Sequence, residues 1–151
     1  MKDLKGLYTI VEGPTDVEIL KVLLNFESFN TVYMIPASGY HNIPSLVRTL
    51  RLMKDKQASN YKFLVVFDSD SNDDTVTEEK VSTMKYLTKA DYDSRIGVFA
   101  FQPNIEVFLG FEGKYNKRGL TNLIKYINDN IDVLREKEKL KEIQRFLDTD
   151  D

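Results

Sequence analysis

The chain reads as an α/β protein: a three-layer α/β/α sandwich with a central, mainly parallel four-stranded sheet. Apolar, strand-like runs alternate with stretches of helical periodicity almost from end to end. The runs are continuously apolar, as strands covered on both faces are. Single helices lie between them, and such connections make right-handed parallel crossovers.

Residues 7–11, Leu-Tyr-Thr-Ile-Val, form the first strand. Pro14 suits the opening turn of the next helix, which Val17, Ile19, Leu20, Val22, Leu23 and Leu24 carry to about residue 26. Residues 31–35 form a second strand, closed by Pro36 and Gly39. Ile43, Leu46, Val47, Leu50 and Met53 recur at helical spacing and predict a second helix to about residue 56. A third strand over 61–67 is followed by a helix over 75–89 with Val76, Val81, Met84 and Leu87 facing inward. A fourth strand over 95–101 leads into a short helix over 104–110 and a Gly-rich basic loop over 110–119. Two helices, at about 120–129 and 131–147, finish the chain. No repeat or linker divides it, which predicts a single domain over 1–151. Its core covers about 6–110 and a helical extension about 119–148.

At 151 residues the chain can bury one core, and 42% hydrophobic content argues against a disordered segment. Disulfides, thiolate metal sites and cysteine nucleophiles are excluded, because there is no cysteine. No apolar run reaches bilayer length and residues 1–6 lack a signal-peptide core, which predicts a cytoplasmic protein without membrane contact. A net charge of −3 supplies no global attraction to nucleic acid, but bound metal would reverse the sign of a local acidic cluster.

Two such clusters follow strands. Glu12-Gly13-Pro14-Thr15-Asp16 follows the first, and Asp68-Ser69-Asp70 the third. Open α/β sheets bind ligands outside the carboxyl ends of their strands. Placing the first and third strands side by side brings both clusters into one crevice. Carboxylates at close range repel unless cations separate them, so the economical reading is a divalent-metal site. Asp68 and Asp70, one residue apart, share a face if the strand continues. Asp16 falls in the first helical turn, where the dipole tolerates an anion.

Plainer uses exist for several of these residues. Asp16 can simply open a helix, and Asp73 and Asp74 suit the cap of the next one. Ser38 and Gly39 make a turn that can also offer a hydroxyl or an amide to phosphate. Arg48, Arg51 and Lys54 form a basic stripe for phosphate or for solvent. In the basic loop, Lys117, flanked by Lys114 and Arg118, can neutralise charge developing on a phosphoryl group. His41, the sole histidine, reads as a loop or helix-start residue. The apolar face of the last helix packs on the sheet or forms a homodimer contact, so the protein is a monomer or homodimer.

Ile10-Val11-Glu12-Gly13-Pro14-Thr15-Asp16 and Val65-Val66-Phe67-Asp68-Ser69-Asp70 together resemble the Toprim domain of topoisomerases, bacterial primases, recombination-repair proteins and OLD-type nucleases. Pro36-Ala37-Ser38-Gly39 and Pro103-Asn104-Ile105-Glu106 are similar to the OLD-like, small stand-alone branch. The resemblance covers roughly residues 6–110. It implies a magnesium- or manganese-dependent nuclease acting on DNA or RNA, with two ions. Glu12, Asp68 and Asp70 would bind metal, Glu12 would also serve as general acid or base, and Asp16 and Glu106 would complete the second ion's site. A separately encoded ATPase stays open as a protein partner. Topoisomerase and primase activities are not expected, for want of strand-passage and zinc-binding domains.

Other readings stay open. Residues 65–70 are also similar to the strand-Asp-x-Asp of haloacid-dehalogenase-like phosphatases, in which Asp68 would be a covalent nucleophile and Asp70 an acid/base. That motif opens its fold, and it leaves Glu12 and Asp16 unexplained. Asp68, Asp70, Asn72 and Glu79 match the spacing of a calcium-binding EF-hand loop, but Asp73 occupies the position where the sharp turn needs glycine. A Toprim fold acting as a non-autonomous metal- or nucleic-acid-binding subunit is a further reading.

Overall fold

Residues 5–53, 61–111 and 117–149 are described by a computed structural model of the chain. Four strands, β1 (Gly6–Val11), β2 (Thr31–Pro36), β3 (Tyr61–Asp68) and β4 (Ile96–Phe101), form one sheet in the order β2-β1-β3-β4. Every pairing is parallel. Helices α1 (Pro14–Leu23), α2 (Ile43–Met53) and α3 (Asp74–Thr88) connect successive strands. The chain continues through α4 (Ile105–Phe108), α5 (Lys117–Asp129), α6 (Ile131–Arg135) and α7 (Glu138–Asp148).

The period-two alternation of each strand sorts its side chains into two cores. Leu7, Val11, Leu64, Val66 and Phe101 pack with α1 and the C-terminal helices on one face. Tyr8, Ile10, Phe63, Val65, Phe67 and Val98 pack with Ile43, Val47 and Met84 of α2 and α3 on the other. The protein is therefore an α/β/α sandwich. Central strands need apolar residues at every position to fill both layers, which is why β1 is buried throughout and edge strand β2 is not.

Right-handed crossovers explain the distribution of helices. The path from β1 to β2 runs one way along the sheet, and the paths from β2 to β3 and β3 to β4 run the other. Handedness then places α1 on the face opposite α2 and α3. One helix cannot cover its layer, and α5 to α7 complete it: Leu123, Ile127, Leu134, Leu140, Ile143 and Leu147 are all buried there. Gly97 lets α7 approach β4 closely, since a Cβ at that position would stand 2.9 Å from the Phe146 ring. Arg135 donates to the Val22 and Leu23 carbonyls at 3.2 and 3.1 Å, capping the C-terminus of α1.

Three sequence expectations need correction. The helix expected over 131–147 is two helices, because Arg135 is held at the end of α1 while α7 turns onto β4. Val76 and Leu87 are exposed; of the expected inward positions α3 buries Met84, and Thr88 is buried with it. Met53 is exposed at the end of α2. Among the described residues no helix is long and apolar enough to cross a membrane.

Thr9, fully buried in mid-β1, works against the fold, as does the unpartnered hydroxyl of Thr77 on α3. Neither Oγ1 has a hydrogen-bond partner among the described residues. A buried hydroxyl without a partner costs free energy, and valine keeps the branched shape without it. Thr9→Val is expected to stabilise the protein by about 1 kcal/mol in urea denaturation, with an unchanged dependence on denaturant.

Candidate functional site

Adjacent strands whose outgoing connections diverge leave a crevice at their carboxyl ends, and in this sheet those strands are β1 and β3. Glu12 leaves β1 beside the end of β3, and the Asp68 amide donates to its Oε1 at 2.6 Å. Gly13, in extended conformation, turns the chain into α1, and Pro14 starts the helix. Asp16, one turn in, reaches back to accept the Gly13 N–H at 3.2 Å. Asp68 Oδ1 accepts the Ile105 N–H at 3.0 Å. Asn104 prepares that amide by capping α4 through the Val107 N–H at 2.9 Å. Glu106 follows directly in the same helix.

Asp70 departs from the sequence expectation. β3 ends at Asp68, and Asp70 adopts a left-handed conformation with φ of 55°. Its amide donates to the Pro103 carbonyl at 2.8 Å, which fixes the bend. The two aspartates therefore do not project from one continuing strand; Asp70 lies exposed past the end of β3. Gln102 ties the following loop down by donating to the Asn72 carbonyl and Asp74 Oδ1, each at 2.8 Å.

The carboxylates affect one another strongly. Burial pushes the Asp68 carboxyl up to about 8, and Asp16, Glu106 and Glu12 add to the shift against the Ile105 amide. Asp16 is pushed up to about 6, first by burial, with Glu12 and Glu106 adding and the Gly13 amide opposing. Glu12 is raised by burial, held back by the Asp68 amide, then raised by Asp70 and lowered by Lys80. Glu12, Asp16, Asp68, Asp70 and Glu106 thus share one electrostatic neighbourhood.

Two neighbours were not legible in the sequence. Half-buried Lys80, on the second turn of α3, donates through Nζ to the Ser69 carbonyl at 2.5 Å. Tyr40 packs edge-on against Phe67 at 5.0 Å, and burial together with Glu12 raises its hydroxyl. Neither carries a local motif. Asn104 did, as a cap residue ahead of a short helix, but its effect on Asp68 is visible only in three dimensions.

The expected phosphate ligands fare differently. Ser38 and Gly39 do adjoin the crevice, both at positive φ. The Gly39 N–H, however, donates to the Glu12 carbonyl at 3.0 Å, so that amide is committed and not offered to phosphate. Arg48 is exposed on α2; the ion pair of Arg51 with Asp93 at 3.1 Å ties that helix down ahead of β4, away from the carboxylates, and Lys54 lies outside the described residues. Lys117 is the first residue of α5, not part of a loop, and its side chain lies outside the described residues, as do Lys114 and the side chain of Arg118. His41 is exposed in a short 3-10 turn, Tyr40–Asn42. Asp73 caps α3 through the Thr75 and Val76 amides at 2.8 and 3.2 Å. A strand precedes this loop where an EF-hand has a helix, so the EF-hand reading is excluded.

Among the described residues no three acidic or imidazole groups enclose a common point fit for an ion. Glu12, Asp16 and Asp68 instead rest on backbone amides. The donor set still fits a hard divalent cation: every group is a carboxylate, several are half-buried, and their repulsion is the kind an ion relieves. Comparison with protein-family models, curated proteins and solved structures finds no match.

The raised carboxyls fix a pH dependence. A folded-state pKa above the unfolded value contributes stability that is complete below the unfolded pKa and is lost as pH rises through the folded one. With chelator present, the Asp16 and Asp68 contributions therefore fade between about pH 4 and pH 8, Asp16 first. Asp68→Asn, which mimics the protonated acid, is expected to flatten this loss and to raise the melting temperature at pH 8 in EDTA. A wild-type curve that rises over that window, with no gain from the substitution, would contradict the assignment.

Proposed function

We propose that this chain is a Toprim-like, magnesium- or manganese-dependent hydrolase of nucleic-acid phosphodiesters. One observation carries the reading: Glu12, Asp16, Asp68, Asp70 and Glu106, on the segments that follow β1, β3 and β4, act on one another electrostatically. The nucleic-acid substrate comes from the sequence resemblance, and a cytoplasmic site of action and a separate ATPase partner are part of the proposal. The phosphatase reading uses Asp68 and Asp70 alone and gives the other three carboxylates no task.

In this reading Glu12, Asp68 and Asp70 hold one ion, and Asp16 with Glu106 completes the site of a second. Bound magnesium or manganese supplies Lewis acidity to the scissile phosphate and a lowered pKa to the attacking water. Glu12 keeps Oε1 on the Asp68 amide, which leaves Oε2 to take or return a proton during the displacement. The Ile105 and Gly13 amides orient Asp68 and Asp16 before substrate arrives. Tyr40, packed edge-on against Phe67, stands near enough to Glu12 to feel its charge.

Labelled single- and double-stranded DNA and RNA, incubated with magnesium, manganese or EDTA, test the proposal. Cleavage is expected only with a divalent ion, and Glu12→Gln is expected to slow it by about 10²–10⁴-fold. Cleavage that persists in EDTA, or at full rate in both Glu12→Gln and Asp68→Asn, would refute it. No cleavage by a wild type that still binds the ion would favour the non-autonomous subunit.

A further inference from the structure

Resting on the divalent-ion reading, we propose that Lys80 is a positioning residue for the Asp68–Asp70 turn and an internal counter-cation for Glu12. It holds the Asp68–Asp70 turn and supplies part of the positive charge that a bound ion supplies more fully.

Lys80 Nζ is anchored to the carbonyl of Ser69, the fully buried residue between the two aspartates. Ser69 is itself fixed, its N–H donating to the Phe101 carbonyl at 2.9 Å and its Oγ to the Ser71 carbonyl at 2.9 Å. The ammonium thus touches the backbone of the turn directly, while the carboxylates on either side reach amides: Glu12 the Asp68 N–H, and Asp68 the Ile105 N–H. An ammonium on a carbonyl keeps its full charge, so the bond orders the turn without neutralising the lysine. That charge lowers the Glu12 carboxyl, which burial and Asp70 raise. The position on α3 suits this task. The four-carbon stem lies half-buried along the helix, and the head projects to the end of the sheet where the acids collect.

A lysine that served packing alone would matter equally with and without divalent ion. A counter-cation matters most when the ion is absent, because the two positive charges serve the same carboxylate, Glu12. Melting curves of wild type, Lys80→Met and Lys80→Arg, in EDTA and in saturating manganese, separate the cases. Lys80→Met is expected to melt about 4–8 °C below wild type in EDTA. Manganese is expected to close most of that gap, and Lys80→Arg to stay near wild type in both buffers. An equal loss in both buffers, or no loss in EDTA, would overturn the proposal. A wild type that gains nothing from manganese or magnesium would sink the divalent-ion reading itself. The EDTA comparison would then decide the lysine's part alone: a loss in Lys80→Met that Lys80→Arg restores supports the counter-cation, and equal losses overturn it.

Discussion

The Asp68 amide donates to Oε1 of Glu12 across the boundary between β1 and β3, and the geometry of the crevice hangs on that bond. It joins the two acidic loops at the one place in the sheet where the connections on either side diverge. From there Asp16 and Asp68 each have an amide as well: Asp16 that of Gly13 and Asp68 that of Ile105. Like charges that would disperse in water are held together because backbone N–H groups, fixed by the ends of strands and helices, donate to three of them. These bonds do not remove the repulsion. The Asp16 and Asp68 carboxyls are raised first by burial and then by their acidic neighbours, and a cation would relieve both.

The scaffold serves this arrangement at some distance. Two apolar layers, one under α2 and α3 and one under α1 and the C-terminal helices, clamp β1 and β3 from both sides. The strand ends are then rigid enough for a 2.6 Å contact between loops 56 positions apart. The C-terminal helices touch the site only indirectly: α5 packs against α1, and Tyr126 Oη donates to the Leu109 carbonyl at 2.7 Å just past α4. Their part is to hold α1 and α4, and so Asp16 and Glu106, against the sheet.

Much of this was legible in the residues. Continuous apolar runs identify buried parallel strands, and the requirement that two acidic clusters share a crevice places β1 beside β3. What failed, failed where three-dimensional context overrode a local pattern. Val76 and Leu87 fit a helical stripe with Met84, yet both are exposed, and α3 buries Thr88 with Met84 instead. The Asp68–Asp70 pair looks like a strand continuation until the Pro103 carbonyl captures the Asp70 amide. The break between α6 and α7 has no proline or glycine to announce it; it follows from Arg135 reaching α1. Lys80 and Tyr40 enter the site from elements remote in sequence, and nothing in the local pattern marks them.

Anomalous diffraction at the manganese edge, from crystals equilibrated with manganese, tests the central claim most directly. The account predicts an anomalous peak bounded by Glu12, Asp68 and Asp70, with Asp16 and Glu106 beside it or around a second peak. A crevice without a peak, its carboxylates still resting on the Asp68, Gly13 and Ile105 amides while manganese occupies other acidic sites, would contradict it.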